Sequence, residues 1–160
     1  MSTKISGDTG IDVAQLRPAD GDPVAITIAA DGKVTIDPAT LILKNPVALG
    51  YGNGAGGVVT QLTSKSTPVT LDKPCGIITM HNAALAAGAS AFFEFNNSLI
   101  DALCALSITA TNVPSNGFNY TVTCQSVVAG KAFIRVTNVS AGSLSDAVQI
   151  SFGIIKVALT

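Results

Sequence analysis

The chain has 160 residues, 48% of them hydrophobic and 12% charged, with a formal net charge of −1. One domain of this length buries roughly 68–70% of its unfolded surface, so its core needs no metal or disulfide. Seven lysines and two arginines (Arg17, Arg135) are scattered without a basic run, which argues against nucleic-acid binding. No stretch approaches the ~18 apolar residues of a membrane helix.

Residues 1–45 read as an N-terminal arm. They hold six of the ten acids and Pro18, Pro23 and Pro38, with Pro46 at the junction. Within the arm, Val24-Ala-Ile-Thr-Ile-Ala alternates with period two. Asp31-Gly32 supplies a type I′ turn and Lys33-Val-Thr-Ile-Asp resumes the alternation, so a β-hairpin is expected. Two strands alone are marginal in water, which implies that the hairpin docks on the main body or on a neighbour. The opening residues, Met1-Ser-Thr-Lys-Ile-Ser-Gly-Asp, lack the apolar segment of an export signal, so a cleaved signal is not expected.

Residues 46–160 form the second predicted unit. Gly50-Tyr-Gly-Asn-Gly-Ala-Gly-Gly57 contains a G-x-G-x-x-G string at Gly52, Gly54 and Gly57, with Gly50 and Gly56 beside it. That string cradles phosphates when it opens a helix. Here the β-branched continuation from Val58 predicts a strand instead, so the glycines read as a tight loop against a neighbouring backbone or a symmetry axis. Short alternating runs follow. Gly76–His81 and Leu103–Thr109 are two of them, and Ser90–Asn96 turns Ala91, Phe93 and Phe95 inward. Gly117–Cys124 sets Phe118, Tyr120, Val122 and Cys124 on one face, and Lys131–Asn138 turns Ala132, Ile134 and Val136 inward. Val148, Ile150, Phe152 and Ile154 share a face of the last run. Asn82–Gly88 has room for one helical turn. The predicted class is all-β: an antiparallel β-sandwich or jelly roll behind an N-terminal arm with a hairpin.

Residues opposite these core faces are also apolar. Phe92, Phe133, Ile155, Val157 and Leu159 lie outward with few charges near them, the pattern of a surface that a partner covers. Catalytic material is scarce. Proton transfer near neutral pH draws on histidines and tuned carboxylates, and the chain has one histidine, His81, and one glutamate, Glu94. His81 lacks a second histidine for a metal pair, and no G-x-S-x-G elbow is present. A glycosidase needs two carboxylates, for which Glu94 with Asp101 or Asp146 is the available set. Asp20-Gly-Asp22 falls short of a calcium loop. Cys75, Cys104 and Cys124 have no C-x-x-C spacing and read as buried small hydrophobes. Sequons at Asn96, Asn119 and Asn138 read as chance. An enzyme is therefore not expected, and neither are cofactors or metals.

Leu49-Gly-Tyr-Gly-Asn-Gly-Ala-Gly-Gly-Val-Val-Thr-Gln-Leu-Thr-Ser-Lys-Ser-Thr67 resembles a β-rich module of tailed-bacteriophage structural proteins. So do Val69-Thr-Leu-Asp-Lys-Pro-Cys-Gly-Ile-Ile-Thr-Met-His-Asn-Ala-Ala-Leu-Ala-Ala-Gly88 and the segment from Arg135 to Lys156. The module occurs in head-decoration (cement) proteins, in head fibres and at the ends of tail fibres. The likeness spans about residues 47–158 and leaves out the arm. It implies a homotrimeric virion component, assembled in the host bacterial cytoplasm, whose arm contacts the major capsid protein or other virion proteins. The short arm favours a decoration protein or short head fibre over a long tail fibre. The alternative is a receptor- or glycan-binding module at a fibre tip.

Overall fold

The computed structural model describes residues 50–111 and 119–157, together with two backbone strands at residues 25–28 and 34–37. Strand β1 (Ala25–Ile28) pairs antiparallel with β2 (Val34–Asp37), Ala25 opposite Asp37 and Ile28 opposite Val34. The expected Asp31-Gly32 turn between them lies outside the described residues. The chain divides between Leu49 and Gly50.

The second unit contains β3 (Gly56–Thr60), β4 (Val69–Thr70), β5 (Cys75–Thr79), β6 (Ser90–Asn96), β7 (Ala105–Thr111), β8 (Tyr120–Val128), β9 (Lys131–Asn138) and β10 (Gln149–Ile155). They form two four-stranded sheets, the first in the order β3-β5-β10-β7 and the second in the order β4-β6-β9-β8. No α-helix occurs among the described residues, and the fold is all-β. The expectation of purely antiparallel sheets is corrected at two edges, where β3 runs parallel to β5 and β4 parallel to β6. Neighbours that run the same way need a crossover between them. Here β4, in the other sheet, is the crossover between β3 and β5, and β5 is the crossover between β4 and β6. Alternation in sequence reveals which face a residue takes but not which way its strand runs.

Alternation does place the core. Ile78, Ile150, Phe152 and Ile154 of the first sheet and Ala91, Phe93, Phe95, Ala132, Ile134 and Val136 of the second are buried in one cluster. The rings of Phe95 and Phe152 meet edge to face across it, centroids 4.7 Å apart at 60°, the arrangement that aromatic quadrupoles favour. In β8, Tyr120, Val122 and Cys124 also turn to this core, and a bulge between Cys124 and Ser126 then shifts the register against β9. Phe118 lies outside the described residues. The run expected from Leu103 begins as a strand only at Ala105. Asp101 and Cys104 close a turn before it, and the Asp101 carboxylate caps the Leu103 N–H. The helical turn expected over residues 82–88 does not form. Leu85 instead bridges Leu144 through two backbone hydrogen bonds.

Buried amides close the loops at the strand ends. The Asn138 side chain is fully buried and donates to the carbonyls of Leu85, Ala86 and Gly142 at 2.8, 3.2 and 2.7 Å. Asn97 likewise donates to Leu71 and Lys73 at 2.6 and 2.8 Å. Each gathers carbonyls of the connecting loops around one buried amide, in keeping with the demand of buried backbone groups for partners.

Candidate interaction surfaces

The outer face of the second sheet is built by β6 and β9. Their antiparallel register sets Phe133 opposite Glu94 and Arg135 opposite Phe92, so the two phenylalanines stand diagonally on one face. Phe92, Phe93 and Phe133, with Glu94, Ser66 and Pro68, line one depression of about 310 Å³. Phe92 is 56% exposed. Lys131 crosses the rim, its Nζ 3.0 Å from the Glu94 carboxylate and 5.6 Å from the centre of the Phe133 ring. Arg135 Nε is buried there with no hydrogen-bond partner among the described residues.

Ile155 and Val157 are 57% and 45% exposed, but Ile155 ends β10 of the first sheet and Val157 follows it. Their neighbourhood is the 99–104 turn, where Leu99 and Leu103 are exposed as well. Lys156 ties this end together by donating to the Leu99 carbonyl and to Asp101 at 2.6 Å. Lys156 and the Leu103 N–H together hold the Asp101 carboxyl down to about 2. The apolar positions expected to act together are therefore divided between two sheets, and Leu159 lies outside the described residues.

The glycine-rich segment serves the first sheet. Gly54 takes a positive φ of 86° as the third residue of a turn closed by the Ala55 N–H on the Gly52 carbonyl, and Gly56 and Gly57 enter β3. Because a strand follows, no helix N-terminus is available for phosphate. Gly57 pairs with Gly76, and a Cβ on Gly76 would stand 2.3 Å from the Gly57 carbonyl oxygen. Tyr51 reaches over Gly153 and donates its hydroxyl to the Ile154 carbonyl. Together with Asn53, Val58, Ile77 and the glycines, Tyr51 lines an open depression of about 510 Å³.

The scarce titratable groups are occupied separately. Glu94 pairs with Lys131, Asp101 with Lys156, and Asp146 accepts the Tyr120 hydroxyl at 3.0 Å. Burial, then the bond to Asp146, pushes the Tyr120 phenol up to about 12. His81 Nδ1 accepts the Ala83 N–H at 3.0 Å, which turns the chain after β5. The buried Lys65 ammonium donates to the His81 and Asp146 carbonyls at 2.7 and 2.6 Å. Desolvation lowers the Lys65 pKa, against the opposing pull of Asp146. All three cysteines are free thiols. The sequon asparagine Asn138 is sealed in the interior. Among the described residues, no three His, Cys, Asp or Glu side chains converge as a metal site would need.

Several surface residues escaped the sequence reading. Pro68 and Ser66 complete the Phe92 depression from the loop before β4, and Val58 and Leu62 are 67% and 83% exposed beside the first sheet's edge. The available signal was the absence of any charged residue from Gly50 to Ser64. Comparison with protein-family models, with curated proteins and with solved structures finds no match to this chain.

Proposed function

We propose that this chain is a non-enzymatic structural component of a bacteriophage virion, a homotrimeric capsid-decoration or short head-fibre protein. The observation that carries the reading is the depression shared by Phe92 and Phe133 on an outer sheet face, an apolar surface suited to a covering subunit. The likeness of residues 47–158 to phage structural modules supplies the setting. In this reading the two sheets form a jelly-roll sandwich, supported by the way the chain alternates between them from β3 to β8. Subunits associate through the Phe92–Phe133 face, and residues 1–45 form the arm that attaches to other virion proteins. Interfaces of about 1,600 Å² at several such contacts would brace a shell against internal pressure.

Size-exclusion chromatography with light scattering tests the assembly. At low micromolar concentration, where the face contact alone is filled, the expected particle has three times the chain mass of 16.1 kDa, and Phe92→Asp with Phe133→Asp disperses it to single chains. A strict monomer at micromolar concentration overturns the trimer. Imaging of labelled virions tests the location.

A second reading, a glycan-binding fibre tip, draws on the Tyr51 depression. There an aromatic ring 48% exposed stands beside Asn53 and a floor of glycines. Saturable binding on a glycan array, abolished by Asn53→Ala, would favour it over the structural role.

A further inference from the structure

Among the described residues, β3 is an edge strand, hydrogen-bonded to β5 on one side only. Gln61, just beyond it, donates its N–H to the Thr79 carbonyl at the end of β5. By the two-residue alternation of a strand, Gly57 and Val59 point their backbone groups toward β5. Gly56, Val58 and Thr60 therefore present N–H and C=O to the open side, and the same three residues are exposed. Proteins usually blunt such edges by shortness, bulges, charge or proline. In the second sheet, β4 has only two residues and β8 carries a bulge. β3 has none of these devices and sits in the uncharged run from Gly50 to Ser64.

We propose that this edge accepts a strand in trans, and that the strand is β3 of a second copy, paired antiparallel about a two-fold axis at Val58. The sequence is complementary to itself in that register. Val58 faces Val58 of the second copy, a favourable β-branched pair. Gly56 faces Thr60, and Gly57 faces Val59, so each larger side chain meets a glycine. Gly56, Val58 and Thr60 all fall at hydrogen-bonded positions, giving about six backbone hydrogen bonds across the axis. No charge is buried, and the two four-stranded sheets join into one. A two-fold contact of this kind uses the same patch on both copies, and it lies on a different sheet from the Phe92–Phe133 face.

The test begins with the full chain carrying Phe92→Asp and Phe133→Asp, which removes the face contact. At high micromolar concentration its mass by light scattering should be twice 16.1 kDa, and adding Val58→Lys should halve it. Hydrogen exchange on the wild-type chain gives an independent readout. The Val58 and Thr60 amides should gain at least about tenfold protection on concentration, and Val58→Lys should lose it. A mass of 16.1 kDa with exchange independent of concentration overturns the proposal. Equal protection at every dilution that survives Val58→Lys also overturns it, because the edge is then covered by its own chain. The face contact fails separately, if the two phenylalanine substitutions leave the wild-type mass unchanged.

Discussion

Asn138→Ala removes a side chain that makes five hydrogen bonds: three donated to the Leu85, Ala86 and Gly142 carbonyls, and two accepted from the Ser140 N–H and hydroxyl. At about 1 kcal/mol net per bond, the starting figure is roughly 5 kcal/mol. Two effects lower it. The Leu85 carbonyl keeps the Leu144 N–H as a partner, and the Ala86 and Gly142 carbonyls lie at exposed residues where water can replace the amide. The expected loss is therefore about 3 kcal/mol, or on the order of 10 °C in melting temperature for a unit of this size. Asn138→Asp is the sharper variant. It keeps the shape but turns a carboxylate oxygen toward three carbonyls, so its folded pKa must rise above the unfolded carboxyl value. A raised pKa means that the folded state binds the extra proton, so stability is gained as pH falls and lost as it rises through that window. Melting followed by circular dichroism from pH 4 to 8 reads both effects. An Asn138→Ala protein within 1 kcal/mol of wild type, or an Asp variant that weakens on acidification, would refute the role given to this amide.

Gly76→Ala places a Cβ 2.3 Å from the Gly57 carbonyl oxygen, a backbone atom that cannot rotate aside. A cost of about 1–3 kcal/mol by urea titration is expected, with faster exchange along β3, and an unchanged midpoint would show that the β3–β5 pair has slack. Burial lowers the Lys65 pKa below 10.5 in the folded chain, so between that lowered value and 10.5 the unfolded state holds the extra proton. Wild-type stability relative to Lys65→Met should thus rise with pH through the alkaline window, and urea midpoints that move the other way would reject the assignment. Glu94→Gln breaks a half-exposed pair with Lys131 and should cost less than about 1 kcal/mol, with a salt dependence smaller than that of wild type. A larger loss would assign Glu94 a role beyond the rim of the Phe92 depression.

The core was legible because a strand that buries one face writes that face at every second residue. Ala91-x-Phe93-x-Phe95, Ala132-x-Ile134-x-Val136 and Ile150-x-Phe152-x-Ile154 could be assigned inward without knowing their neighbours. Two-residue β4 carries no period to read, and strand direction leaves no mark on alternation, so the parallel edges were hidden. Buried Lys65, Asn97 and Asn138 were hidden for a related reason. They bind carbonyls distant in sequence, and nothing local distinguishes such a side chain from a solvated one.

The same limit governs the surfaces. Alternation identifies Phe92, Phe133 and Ile155 as outward, yet whether outward residues share a face depends on which strands are neighbours. β6 and β9 are adjacent, with Glu94 opposite Phe133, and that register brings Phe92 and Phe133 to one depression. β10 lies between β5 and β7 in the other sheet, so Ile155 joins Leu99 and Leu103 at a different place. A single flat contact cannot cover both groups. Any assembly that buries them all must use at least two distinct contacts per chain. Repeated heterologous contacts close a ring only when the rotation between subunits allows it, and otherwise they propagate. Substituting Phe92 and Ile155 separately therefore tells two arrangements apart: loss of the same assembly step marks one head-to-tail contact that joins the two groups, and loss of different steps marks two independent contacts.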